Sequence, residues 1–215
     1  MQKKTYAVLG LGRSGTAVAK ELVKNGADVI AVDKNEQIVQ DSSVYLPICK
    51  CADITDHEVI SELGISNADV VIVAMASSLE GSILAITLCK EAGVKTVIAK
   101  CANETHRKIL KRVGADTVVF PENESGTRLA KNLLTSGFTD ILTLSDDLSL
   151  VELAARDEWV GKSLKELNLR KKYTVNVVAF RKNGKITAPV NPEELLDKDT
   201  EIIAIVNTAK LSKFK

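Results

Sequence analysis

The segment from Tyr6 to Asp33, YAVLGLGRSGTAVAKELVKNGADVIAVD, constrains this chain more than any other. It opens on a short apolar run, Tyr6 to Leu9, of the kind that forms a parallel strand buried on both faces. Gly10-Leu-Gly12-Arg-Ser-Gly15 follows, a G-x-G-x-x-G turn. Thr16 to Lys24 then places Ala17, Val18, Leu22 and Val23 at helical spacing, and Asn25-Gly26 stops that helix. A second strand, Asp28 to Val32, delivers Asp33. In such a unit Gly10 permits the tight turn, Gly12 lets backbone approach a phosphate, and Gly15 lets helix pack closely on strand. A phosphate rests on the free N–H groups at the positive end of the helix dipole. An acid at the end of the second strand accepts hydrogen bonds from ribose hydroxyls. The pattern predicts a nucleotide-binding βαβ unit. Glycines serving packing alone would leave Asp33 unexplained.

The alternation continues. Leu46 to Cys51, Ala68 to Ala76, Thr96 to Lys100 and Thr117 to Phe120 read as further strands, the last ended by Pro121. Helices are predicted for Asn35 to Gln40, His57 to Leu63, Glu80 to Glu91 and Glu104 to Val113, with Thr55 or Asp56 and Ser77 or Ser78 as caps. Six such units predict an α/β fold, a Rossmann-like doubly wound parallel sheet with its ligand crevice at the carboxyl ends of the strands. Asp33, Asp53, Lys100 and Glu122 stand at those ends and are expected to converge there.

From Glu124 a helix runs through Leu129, Leu133 and Leu134 and stops near Gly137. The texture then changes. Ile141 to Leu144, Leu148 to Ala155, Val175 to Arg181, Lys185 to Ala188 and Glu201 to Val206 read as strands. Asn183-Gly184 signals a hairpin. Ser163 to Leu167 reads as one helical turn and Pro192 to Leu196 as a short polar helix. The expected organisation is a first domain over residues 1–123, a crossover helix or linker over 124–138, and a small α+β domain over 139–215. So small a core favours dimerisation.

Lys and Arg number 29 against 28 Asp and Glu, a net charge of +1, so nothing favours a nucleic-acid partner. No apolar run is long enough to span a bilayer, and Met1-Gln-Lys-Lys-Thr5 leads straight into a strand without a signal peptide. Cys49, Cys51, Cys89 and Cys101 match neither a zinc spacing nor a disulfide framework, and reduced thiols are expected. A cytoplasmic protein is expected.

Catalytic groups are missing. His57 and His106 lie in polar helical segments, and there is no G-x-S-x-G elbow, Walker lysine or H-E-x-x-H. Ser14 in the glycine turn caps or touches phosphate. An NAD(P)-dependent oxidoreductase would need a Tyr-x-x-x-Lys or histidine group on the crevice, and Tyr6, Tyr45 and Tyr173 offer none. A stand-alone redox sensor would use Cys49 and Cys51. A nucleotide bound with nothing to react with it suits a sensor, not an enzyme. Arg13 presents a planar fork suited to a terminal phosphate, which ATP and ADP carry and a dinucleotide does not. Lys100 would add positive charge, and Glu122 could reach a phosphate-bound Mg²⁺ or similar cation.

The strand–GLGRSG–helix–AVD unit, then CADITD, AKCANETH, GADTVVFPENESG and the small α+β domain resemble the RCK family in its KtrA/TrkA group. These are cytosolic subunits that regulate potassium channels and transporters. The resemblance covers essentially the whole chain, as RCK_N followed by RCK_C (TrkA-C). It implies an ATP/ADP site of Gly10, Gly12, Arg13, Asp33, Lys34, Asp53, Lys100 and Glu122, to which the reading of the turn adds Ser14, with NAD or NADH as a ligand in members nearer TrkA. It further implies dimers building an octameric ring, with Arg13 reaching the γ-phosphate bound by the neighbouring subunit and Glu122 holding a cation. Cys51-Ala52-Asp53 stands where the family more usually has Gly-Asp or Asn-Ala. In the RCK_C segment, Leu164, Asn168, Arg170, Asn176 and Pro192 match the family's cyclic di-AMP site at a dimer interface. There an arginine suits phosphate and an asparagine an adenine edge. The implied partner is an integral-membrane potassium transporter subunit, KtrB- or TrkH-like, which would hold the chain at the inner face of the membrane.

Overall fold

The computed structural model describes residues 4–134, 140–145 and 147–209. Its first unit alternates strand and helix from β1 (Thr5–Leu9) through α1 (Arg13–Lys24), β2 (Asp28–Asp33), α2 (Glu36–Ser43), β3 (Ile48–Cys51), α3 (His57–Glu62), β4 (Val70–Val73), α4 (Leu79–Glu91), β5 (Thr96–Lys100) and α5 (Glu104–Val113) to β6 (Thr117–Val119). All pairings are parallel, in the order β3-β2-β1-β4-β5-β6. Successive side chains on a strand point to opposite faces, and both faces are covered. Ala7, Leu9, Val32, Val71, Val73 and Val97 pack with Ile60 of α3, Ile86 of α4 and Leu110 of α5. Val8, Val29 and Ala31 pack with Ala19 of α1 and Ile38 of α2 on the other side. Burial on both faces is why these strands read as near-continuous apolar runs.

One polar clamp ties α4, β5 and β6 together. The Lys90 ammonium donates to Asp116 Oδ2 at 2.7 Å, and the amide of buried Val97 donates to the same oxygen at 2.6 Å. The Lys90 hydrogen bond first, then the Val97 amide, hold the Asp116 carboxyl below its ordinary value of 3.8. A depressed folded-state pKa adds stability that is present above the unfolded value and lost as pH falls through the folded one. Asp116→Ala is therefore expected to lower stability at neutral pH by about 1–3 kcal/mol, chiefly by leaving the Val97 amide without its acceptor. In a melting series from pH 7 downward, the difference from wild type should shrink only below the ordinary Asp range. A constant difference down to pH 2 would contradict this.

The chain divides into its two units between Pro121 and Glu122. A single helix, α6 (Pro121–Leu134), occupies the region expected as a separate crossover segment, and residues 135–139, including Gly137, lie outside the described residues. The second unit then runs β7 (Asp140–Thr143), β8 (Leu148–Ala154), a 3₁₀ turn (Asp157–Trp159), α7 (Leu164–Leu167), α8 (Leu169–Tyr173), β9 (Asn176–Lys182), β10 (Lys185–Thr187) and β11 (Glu201–Asn207). Its antiparallel sheet has the order β10-β9-β11-β8-β7. Val151, Leu153, Phe180, Ile202, Ala204 and Val206 pack on one face with Trp159, Leu169 and Leu196. Asn183 and Gly184 make the predicted hairpin turn, both at positive φ.

Two local expectations fail. Pro192 to Leu196 is not a helix. Leu195 bridges Ser163, the Leu196 amide donates to the Lys162 carbonyl at 3.0 Å, and the Lys165 amide donates to the Pro192 carbonyl at 3.0 Å. Pairing with residues 161–165 engages backbone groups that a five-residue helix, too short to be stable by itself, would need. Conversely α8 was not expected. Asn168 at φ 49° ends α7 and starts α8, whose Leu169 is buried in the core.

Candidate nucleotide-binding cleft

The strand order reverses between β1 and β4, and the loops leaving those strands diverge there. A cleft of about 510 Å³ opens at this point, at the carboxyl ends of β2, β1 and β4. Pockets that hold small ligands run from roughly 300 to 1,000 Å³. Gly10 and Gly12 of the glycine turn line it, with Asp33 and Lys34 from the end of β2 and Asp53 from the loop after β3.

The turn is built as its glycines require. Gly10 sits at φ +94°, and a Cβ there would meet Met75 Cγ at 2.7 Å. A Cβ on Gly15 would collide with the Gly10 carbonyl oxygen. A Cβ on Gly12 would meet nothing within 4 Å, so open space adjoins its Cα where α1 begins. That helix start carries no side-chain cap. The next four helices are all capped: Asn35 on α2, Asp56 on α3, Ser78 on α4 and Asn103 on α5 each accept from a first-turn amide. The α1 amides thus keep the donors and positive dipole end that an anion would use.

Asp33 does two jobs. Its Oδ2 accepts from the Leu11 amide at 2.7 Å and its Oδ1 from the Asn35 amide at 2.9 Å, pinning the glycine turn to the end of β2. Lone pairs on both oxygens remain for hydroxyl donors from a ligand in the cleft. Asp53 Oδ1 accepts from the Thr55 amide at 3.0 Å and the Thr55 hydroxyl at 2.7 Å. The Thr55 amide first, then its hydroxyl, hold the Asp53 carboxyl below the usual value, so it acts only as an acceptor at neutral pH. Glu80 adds a third carboxylate to the lining. Three carboxylates therefore line the cleft that the α1 amides adjoin, acceptors suited to ribose hydroxyls and exocyclic amines.

The other expected residues fall elsewhere. Arg13 and Ser14 open α1, Arg13 exposed, and neither lines the cleft. Lys100 ends β5, one strand beyond β4, and the expected four-way convergence does not include it. Glu122 lies in the first turn of α6, in the second unit. Among the described residues, no group of three or more His, Cys, Asp or Glu is assembled to hold a metal. The sequence reading missed the β4–α4 loop, whose Ala74, Met75, Ser77 and Ser78 line the cleft. The strand reversal beside β1 would have pointed to it, had the strand order been known.

In the second unit, Leu164 opens α7, Asn168 joins α7 to α8, Arg170 is exposed on α8, and Asn176 begins β9. Pro192 is tied to this group by its carbonyl, which accepts from Lys165. Among the described residues no helix is long and apolar enough to cross a membrane.

Residues 6–121 match the TrkA-N domain and residues 148–215 the TrkA-C domain. Ktr system potassium uptake protein C of Bacillus subtilis (strain 168) is 35% identical over 213 residues, covering 99% of this chain and 96% of that protein. Ktr system potassium uptake protein A of the same organism is 32% identical over 215 residues, covering 100% and 97%. A solved GsuK channel bound to NAD superposes with a TM-score of 0.67 at 17% identity, a likeness of fold. It covers 99% of this chain, which spans 39% of that channel's length. The chain belongs to the family that joins a TrkA-N to a TrkA-C domain, the RCK-domain family of the Ktr and Trk potassium uptake proteins.

Proposed function

We propose that this chain is the nucleotide-sensing regulatory subunit of a potassium uptake system, with ATP and ADP as the ligands of its cleft. The observation that carries this reading is the uncapped start of α1 beside open space at Gly12, with Asp33 in the same cleft. In this reading the first-turn amides of α1 hold phosphate, Asp33 accepts from ribose hydroxyls and Asp53 accepts from the adenine amine. The names of the full-length relatives support the transport setting.

Arg13, Ser14, Lys100 and Glu122 lie outside the cleft lining, and family membership, not the cleft, supports a part for them in binding. Arg13 would serve the γ-phosphate bound by a neighbouring copy. Glu122 would help hold Mg²⁺ or another cation, with phosphate oxygens supplying further ligands. ATP and ADP then differ in charge where subunits meet and bias two arrangements of a ring, by an amount on the order of 1–3 kcal/mol. Family membership supports an octameric ring built from dimers beneath an integral-membrane KtrB- or TrkH-like subunit, at the inner face of the membrane. It also supports cyclic di-AMP at Leu164, Asn168, Arg170, Asn176 and Pro192. Arg170→Ala is expected to weaken cyclic di-AMP binding roughly 10-fold or more through loss of a charged hydrogen bond to phosphate. Unchanged affinity in a calorimetric titration would remove that site.

NAD(H) is the second reading, favoured by the reach of the cleft past β1 to the β4–α4 loop, where a dinucleotide's second half would lie. Growth on low potassium tests the regulatory role. A bacterium lacking its own uptake systems should grow with the membrane subunit and this chain, and poorly with the membrane subunit alone. Equal growth with and without the chain would contradict the proposal.

A further inference from the structure

Cys49 and Cys51 lie two residues apart on β3, the outermost strand of the first sheet, so their side chains project from one face. Cys49 is half-buried and packs on that face against the cluster of Val8, Ala31 and Leu46. Cys51 is exposed, and its thiol donates to the Lys34 carbonyl at 3.6 Å. In the β2–β3 register Ala31 faces Cys49 and Asp33 faces Cys51. The next residue, Ala52, donates its amide to the Asp33 carbonyl at 3.1 Å, and both Ala52 and Asp53 line the cleft. The two thiols, the end of β3 and the carboxylate that pins the glycine turn therefore form one connected group. Cys89 and Cys101 are different, both buried in the core, and burial pushes the Cys89 thiol up to about 12.

We propose that Cys49 and Cys51 are a reversible oxidation site, closing under peroxide to a disulfide that frees the end of β3 and weakens nucleotide binding in the adjoining cleft. The effect on affinity rests on the nucleotide reading above, whereas the disulfide does not. The exposed Cys51 thiolate attacks one peroxide oxygen. The O–O bond breaks, water leaves after protonation, and Cys51 becomes a sulfenic acid. Cys49 sulfur then attacks the sulfenic sulfur. The S–S bond forms, and a second water leaves with the Cys49 proton. Two thiols and one peroxide thus give one disulfide and two waters. Burial, and secondarily Asp33, push the Cys49 thiol up, which disfavours Cys49 as the sulfur that meets peroxide first.

The geometry ties closure to the cleft. Alternate Cα atoms of an extended strand stand about 6.6 Å apart, near the upper limit of about 6.8 Å for a bridged pair. Their Cβ vectors run parallel, so the strand must bend for the sulfurs to meet. β3 can bend, because it is four residues long and among the described residues pairs only with β2. Bending draws Cys51 from its place opposite Asp33 and carries Ala52 and Asp53 with it. A bond made on a bent, exposed strand is easily reduced, as transient cytosolic disulfides are. Reciprocity requires that bound nucleotide shift the dithiol–disulfide equilibrium toward the reduced pair by the same factor.

The test takes the purified full chain, reduced or treated with hydrogen peroxide, then denatured and labelled with iodoacetamide for whole-mass measurement. The reduced chain should take four labels on its four cysteines and the oxidised chain two, with four restored by dithiothreitol. After peroxide, Cys51→Ser should keep three labels, whereas Cys49→Ser should keep two and carry added oxygen on Cys51, with three restored by dithiothreitol. In parallel titrations of ATP and NADH, oxidation should weaken binding by about 10-fold in wild type, within the usual range of coupling between sites, and leave Cys49→Ser unaffected. Four labels after peroxide, label loss that dithiothreitol does not reverse, or a bond mapped to Cys89 or Cys101 would overturn the site. Two labels with unchanged affinity would overturn the coupling. A reduced chain that binds no nucleotide would sink the cleft reading, while the label count would still decide the disulfide.

Discussion

Gly15→Ala is expected to lose nucleotide binding and to melt well below wild type. A methyl group there collides with the Gly10 carbonyl oxygen and stands 3.1 Å from the Ala74 Cβ. The atoms it meets are backbone and a side chain with no torsion to turn aside, so α1 itself must shift off β1. Forcing a group into a packed interface costs typically about 1–3 kcal/mol. The shift also moves the uncapped first turn of α1, the seat proposed for phosphate. Gly12→Ala separates the two effects. Its φ of −64° suits alanine, and nothing lies within 4 Å of the added Cβ. Stability should therefore stay within about 0.5 kcal/mol of wild type, while the methyl takes up the space a phosphate needs. Thermal melts beside ATP titrations check both variants. Gly15→Ala melting like wild type would contradict the packing argument.

Asp33→Asn should cost both folding and binding. The carboxylate takes a backbone N–H on each oxygen, from Leu11 and from Asn35. An amide must aim its NH₂ at one of these donors. If the orphan is the Leu11 amide, whose residue is 3% exposed, the loss is about 1–3 kcal/mol. Binding suffers separately. A hydrogen bond to a charged group is worth about 1.5–3 kcal/mol, so losing the charge beneath the ribose should weaken ATP binding roughly 10–100-fold. Melting and titration of the same preparation distinguish the two losses. Affinity within twofold of wild type would show that Asp33 serves the turn alone.

Features governed by neighbours in sequence were legible beforehand. β5 and α5 occur at their expected bounds, because Val97 and Ala99 are buried and Asn103 caps the helix that follows. Ser78 caps α4 and Asp56 caps α3, each one of two candidates read from the chain. Features set by strand order were not legible. Asp33 and Asp53 share the cleft, whereas Lys100 stands at the end of β5 and does not, because the lining comes from the ends of β3, β2, β1 and β4 and the loops that follow them. β4 stops at Val73, three residues before its apolar run ends, as Ala74 and Met75 turn into the cleft lining. The second role of Asp33 depends on Leu11, 22 residues away, and no periodicity announces it.

Calorimetric titration of ATP into wild type, Gly12→Ala and Asp33→Asn, with each variant's fold checked by melting, is the most direct test of a nucleotide seated between α1 and β2. Saturable binding by wild type is expected, with none measurable for Gly12→Ala and a loss of roughly 10–100-fold for Asp33→Asn. Equal affinity in all three chains would contradict that placement.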